Sequence, residues 1–207
     1  REVYATSGER ILLWFNLLDS ENGITPMGRE RNISQKPQFE VTAIGSFKQK
    51  PGCPEYVHTA MSAGEISRLC LNECYNPSNE RNKIDRIEIV KITPTTELDS
   101  ISNNIQDPWK VFTCNDKGEG CSANFFDDEY VLDNKSSLYY ARAIQEPTNM
   151  VGGDPLRCEL NEAGECIKIR PCYSSGPDFD PNDDCLALAG ERAWSSPIFL
   201  THPMSIY

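Results

Sequence analysis

The chain has 207 residues, 39% of them hydrophobic, a mean hydropathy of −0.50, a formal charge of −11 and a pI near 4.7. That length buries a real core, as one large β domain or two small ones, and the chain is too apolar and aromatic to be disordered. The acidity excludes nucleic acid and an anionic membrane surface, which are held through clustered Lys and Arg. No apolar run reaches the roughly 18 residues of a membrane span.

Strand patterns dominate the chain in order. "RILLWFNLL" (10–18) is rich in large apolar residues, and "FEVTAIGSF" (39–47) alternates Phe39, Val41 and Ala43 with Glu40 and Thr42. "SAGEISRLCLNEC" (62–74) alone reads as a helix, with Ser62 as N-cap at capping-box spacing from Glu65. "IDRIEIVKI" (84–92) interleaves Ile84, Ile87, Ile89 and Val90 with charge, which predicts a half-buried strand with one irregularity. "WKVFTC" (109–114), "SLYYARAIQ" (137–145) and "SPIFLTHP" (196–203) bring the set to about six to eight strands. The connections "PGCP", "NPSN", "QDPW", "VGGDP" and "GPDFDPNDD" carry turn chemistry. These features predict a mainly β fold: an antiparallel β-sandwich with long disulfide-stapled loops and one short helix. Its core is expected over 9–145, and 146–207 is expected to be a cysteine-rich extension that returns to a final strand.

Nine cysteines cluster as Cys53, Cys70 and Cys74; Cys114 and Cys121; and Cys158, Cys166, Cys172 and Cys185. No C-x-x-C occurs, and the two histidines, His58 and His202, stand in no metal-ligand spacing with a cysteine. Disulfides in an oxidising compartment therefore outrank an all-thiolate zinc site. The expected links are Cys114 to Cys121, Cys53 to either Cys70 or Cys74, and the last four among themselves. One thiol of the odd set is left free, or its partner lies elsewhere.

Few constellations suggest chemistry. Asp178, Asp180, Asn182 and Asp184 alternate as calcium ligands do, but Pro181 interrupts them and a solvated acidic turn is the preferred reading. Asp127, Asp128 and Glu129 in "FFDDEY" read as a surface turn between buried aromatics. Nucleophile-elbow, P-loop and dinucleotide-binding motifs are missing. His58 and His202 read as structural or surface residues, and Trp14, Trp109 and Trp194 as core. Sequons at Asn32 and Asn134 matter only in a eukaryotic secretory setting.

Three stretches, "REVYATSGERI", "IQDPWKVFTC" followed by "GC", and "ERAWSSPIFL", with "YYARAIQEPT", "LRCELNEAGECIKIRPC" and "DDCLA" between the last two, resemble the C-terminal part of the bacterial family known as domain of unknown function 3604. The resemblance spans nearly the whole chain. It implies an exported protein, periplasmic, cell-surface or extracellular, whose upstream part is similar to the polymerase-and-histidinol-phosphatase (PHP) type of metal-dependent hydrolase. Divalent transition metals would then sit in that upstream barrel, with none held by this chain. Arg1, not Met, opens the sequence, and the expectation is a piece of a longer chain. Residues 1–8 would be the last segment of the barrel and the junction, with Arg1, Tyr4 and Ser7 nearest its cleft and Gly8 turning the chain. The implied function is that of an accessory β domain in a hydrolase of uncharacterised substrate. The alternative is a non-catalytic extracellular interaction or assembly module. The expected partner is the upstream barrel of the same protein, and self-association into a homo-oligomer stays open.

Overall fold

The computed structural model describes residues 1–19, 23–71, 74–94, 104–114, 118, 120–151, 157–169 and 185–204. Alternation of large apolar and polar residues builds two facing sheets. In strand β2 (Leu12–Asp19) the side chains of Leu13, Phe15 and Leu17 point inward and are buried. In β5 (Gln38–Ile44) Phe39, Val41 and Ala43 do the same. These two strands, with β3 (Gly23–Pro26) and β10 (Gly120–Phe126), form a four-stranded antiparallel sheet in the order β10-β5-β2-β3.

The second sheet has seven strands. Its centre is the long β11 (Ser137–Val151), flanked on one side by β8 (Ile84–Ile92) and then β9 (Ile105–Thr113). On its other side lie β14 (Leu186–Ser195) and β15 (Ile198–Thr201), consecutive in the chain. The edge strand β1 (Tyr4–Thr6) pairs with β14, and β4 (Glu30–Asn32) pairs in parallel with β15. Inward residues of both sheets share one core. At its middle Phe39 stacks on Phe15 and Phe125, with ring centroids 5.5 and 5.3 Å apart, and tilts against Tyr139 at 4.7 Å. Such aromatic pairs add about 0.5–1.5 kcal/mol each beyond area burial.

Two ribbons project from this body. β6 (Phe47–Pro51) and β7 (Tyr75–Arg81) pair with each other and carry helices α1 (Glu55–Ala60) and α2 (Ala63–Cys70) between them. β12 (Cys158–Leu160) and β13 (Cys166–Ile169) form a small hairpin. The expected antiparallel β-sandwich is thus the fold, and the predicted strands over 10–18, 39–47, 84–92, 109–114, 137–145 and 196–203 all exist. Ser62 caps α2 through a complete capping box with Glu65.

Several expectations need correction. Instead of one helix there are three among the described residues, because α1 and α3 (Tyr130–Asp133) are too short for helical periodicity to appear in their sequences. Fifteen strands are described rather than six to eight, since edge strands such as β1 and β4 have only three residues. The extension expected over 146–207 contributes more to the sandwich than its one expected final strand. β11 runs past residue 145, and β14 lies beside it, its inward face made of small residues and Glu191: Ala189, Glu191, Ala193 and Ser195. Trp14 is 43% exposed rather than core, because its neighbours Leu13 and Phe15 occupy the inward positions of β2. Trp109 packs partly buried against the core, and Trp194 is half-buried.

Candidate functional site

Where the chain begins, Arg1 meets the turn between β3 and β4. Gly28 makes the approach possible: its φ is +80°, and a Cβ there would stand 1.9 Å from the Arg1 carbonyl oxygen. Its N–H donates to the Pro197 carbonyl at 2.9 Å, which anchors the turn on the second sheet. The result is a cleft of about 570 Å³ lined by Arg1, Thr25, Gly28, Arg29, Glu30 and Arg31, with Pro26. Arg31 Nε donates to Thr25 Oγ1 at 2.7 Å, and Thr201 Oγ1 donates to the Glu30 carboxylate at 2.9 Å. Three guanidiniums against one carboxylate make a basic site on a chain of charge −11. Planar guanidinium donors suit phosphate and carboxylate groups in two-point contacts.

The three residues expected nearest the upstream barrel's cleft lie apart in this chain. Arg1 lines the cleft just described, which is formed by the sandwich itself. Tyr4 is partly exposed on β1, opposite Ser195. Ser7 ties β1 to β14: its hydroxyl donates to Glu191 and accepts the Arg192 N–H at 2.9 Å, while its own N–H donates to the Arg192 carbonyl at 2.9 Å. Residues 1–8 therefore include a strand of the sandwich. Thr25, Gly28, Arg29 and Arg31 carried no motif in the sequence; only the fold collects them.

The cysteines pair as Cys53–Cys74, Cys114–Cys121 and Cys158–Cys166. Cys185 is also disulfide-bonded, whereas Cys172 lies outside the described residues. Cys70 is a free thiol whose sulfur lies within 4.8 Å of Cys53 and Cys74. With two of the three sulfurs bonded to each other, the trio offers one thiolate ligand; only its reduced form could hold a soft metal ion. The calcium candidates Asp178, Asp180, Asn182 and Asp184 also lie outside the described residues.

His58 is exposed on α1, and His202 is buried edge-on against Tyr130, where its Nδ1 accepts the Met204 N–H at 3.2 Å. A buried polar node, unforeseen in the sequence, joins Glu9, Ser46, Asn82 and Gln145; the Glu9 carboxylate accepts Asn82 Nδ2 at 2.9 Å and Gln145 Nε2 at 2.6 Å. It pins the turns between strands and is structural. "FFDDEY" is corrected in one residue: Asp128 and Glu129 are exposed, but Asp127 is fully buried.

The fold thus defines a disulfide-bonded antiparallel β-sandwich, and disulfides of this number belong to a non-reducing environment. No helix among the described residues is long and apolar enough to cross a membrane. No protein-family model, curated protein or solved structure matches the chain.

Proposed function

We propose that this chain is the accessory β-sandwich domain of an exported, metal-dependent hydrolase, and that its arginine cleft holds an anionic group of the substrate. The observation that carries the reading is the convergence of Arg1, Arg29 and Arg31 in one cleft of a strongly acidic chain. The barrel and its metals rest on the family resemblance, and the disulfides support export. In this arrangement metals held by the barrel would supply Lewis-acid chemistry, and the guanidiniums of Arg1, Arg29 and Arg31 orient a phosphate or carboxylate by paired hydrogen bonds. Calorimetric titration with inorganic phosphate tests the cleft. Binding that weakens with salt and disappears on joint Arg29→Gln and Arg31→Gln substitution is expected, and no heat from the unaltered chain would remove the anion site. For the hydrolase, protein isolated from its source without chelator should carry stoichiometric transition metal, and a metal-free preparation contradicts it.

A specific observation favours a second reading, a non-catalytic extracellular interaction module. Neither α1 nor α2 buries a residue, and Tyr56, Leu69, Leu71 and Tyr75 stand 57–75% exposed on one projecting arm. An apolar surface of that kind marks a contact with another protein. Taking a second copy of the chain as the partner, sedimentation should show a concentration-dependent dimer that Leu69→Asp abolishes. A monomer at every concentration rejects self-association.

A further inference from the structure

A lysine and an aspartate meet inside the sandwich, away from every surface discussed so far. Lys91 continues the inward row of Ile87 and Ile89 on β8, and Tyr139 is its direct partner on β11. Asp127 follows β10 on the opposite sheet. The Lys91 Nζ lies 2.7 Å from Asp127 Oδ2, and the two side chains are 1% and 0% exposed. The approach lacks hydrogen-bond angles, so among the described residues Nζ has no hydrogen-bond partner. An ammonium carries three donors, and burying one without acceptors is costly even beside a counter-charge. A simple salt bridge accounts poorly for that arrangement.

The carboxyl, by contrast, is held from every side. Asp127 N–H donates to the Pro37 carbonyl at 3.2 Å, Oδ1 accepts the Glu129 N–H at 3.0 Å, and Oδ2 accepts the Tyr139 hydroxyl at 2.6 Å. The Trp109 ring closes the wall, its centroid 5.3 Å from Nζ and 5.7 Å from the Tyr139 ring. From α3 the half-exposed Asp133 brings a carboxylate to 3.8 Å from Nζ. Burial, then the charge of Asp127, keep the Tyr139 hydroxyl protonated far above the ordinary phenol range, so it stays a donor.

We propose that Lys91 and Asp127 condense into an intramolecular amide, Nζ bonded to Cγ. The balance needs no cofactor, oxidant or nucleotide. One proton passes from Nζ to Oδ2 along their contact, which leaves a neutral amine and a neutral acid. The amine lone pair attacks Cγ, and the Tyr139 hydroxyl and Glu129 N–H stabilise the tetrahedral oxygens as an oxyanion hole would. Asp133 relays a second proton from nitrogen to the departing oxygen. That oxygen leaves as water, the C–O bond breaks, and nitrogen keeps one hydrogen. Two buried charges vanish, and the expelled water does not return readily to an apolar core. Proximity fixed by the fold replaces the activation that an isolated amine and acid would require. The bond would join the two sheets at the C-terminal end of β10. Cys114–Cys121 joins β10 to the end of β9 at its other end. Unlike that disulfide, the amide survives reductant.

The test is the intact mass of the full chain, denatured and reduced. The expected mass is one water below that of the sequence, and proteolysis should release a branched peptide containing both Lys91 and Asp127. Lys91→Met should restore the full mass, and Tyr139→Phe should leave a larger unlinked fraction after refolding. Should Lys91→Met fail to fold, the mass and peptide map of the unaltered chain decide alone. A full-mass chain in which denaturation exposes Lys91 to an acylating reagent overturns the proposal, as does a water deficit mapped to other residues.

Discussion

Glu88, on the outer face of β8, is a buried carboxylate bracketed by Arg86 Nε at 2.7 Å and Arg142 Nε at 2.6 Å; Arg142 also reaches Asp107 at 2.8 Å. Burial alone would raise the Glu88 carboxyl, but hydrogen bonds from Arg86 and then Arg142 outweigh it, and the group lies below its ordinary value of 4.5. A folded-state value below the unfolded one makes this stabilisation complete above 4.5 and lost as pH falls through the folded value. Urea midpoints of the unaltered chain should therefore fall more steeply below pH 4.5 than those of Glu88→Gln; parallel curves would contradict the assignment. Arg142→Ala should cost about 1.5–3 kcal/mol, the range for hydrogen bonds to charged groups, measurable by the same titration at neutral pH. In "IDRIEIVKI" the alternation announces a strand, and Ile87 and Ile89 its inward face. Nothing local distinguishes Lys91, fully buried, from a lysine in water, because its burial depends on what the other sheet brings opposite.

At the scale of elements, α2 illustrates what a short stretch can specify. Ser62 and Glu65 each satisfy the other's backbone N–H, and Leu71 ends the helix at φ +49°. Ser62→Ala should cost about 0.5–2 kcal/mol of helix stability. Because α2 buries nothing, the loss should stay within the arm: faster amide exchange over 63–70 with unchanged protection in β2, β5 and β11. A global loss of protection would mean that the arm packs on the sandwich. β14 is the opposite case. Its inward positions hold Ala189, Glu191, Ala193 and Ser195, too small or too polar to register as apolar periodicity. Ala189 and Ala193 lie beside β11, and Ala193 and Ser195 also beside β1, neighbours that are set by sheet order. At Gly190 on the same strand the crowding is explicit, since a Cβ there would stand 2.8 Å from the Gln145 carbonyl oxygen of β11.

For the whole molecule, covalent links are the main difference between this chain and an ordinary sandwich. Cys114–Cys121 ties one sheet to the other, while Cys53–Cys74 and Cys158–Cys166 each close a projecting ribbon. Each native disulfide in a small exported domain contributes about 2–5 kcal/mol, and each kcal/mol moves the melting temperature of a chain this long by about 2–4 °C. Strong reductant should lower melting accordingly, and an unchanged transition would reject disulfide stabilisation. Thiol titration of the denatured, unreduced chain should detect Cys70, with Cys53, Cys74, Cys114, Cys121, Cys158, Cys166 and Cys185 unreactive. After full reduction, an unfolded chain still lighter by one water, with the deficit mapped to Lys91 and Asp127, is what the proposed amide predicts.

From sequence alone came the β class, the strands with large alternating side chains, the cap of α2, the oxidising compartment and the Cys114–Cys121 link. All of these depend on neighbours a few residues apart, where side-chain period and turn chemistry act directly. Only the tertiary structure decided that Arg1 joins Arg29 and Arg31, that Cys74 rather than Cys70 takes Cys53, and that Lys91 faces Asp127 across the core. Those meetings follow from which strand lies beside which and in what register. Register is settled by packing two whole faces together, and no local stretch contains it.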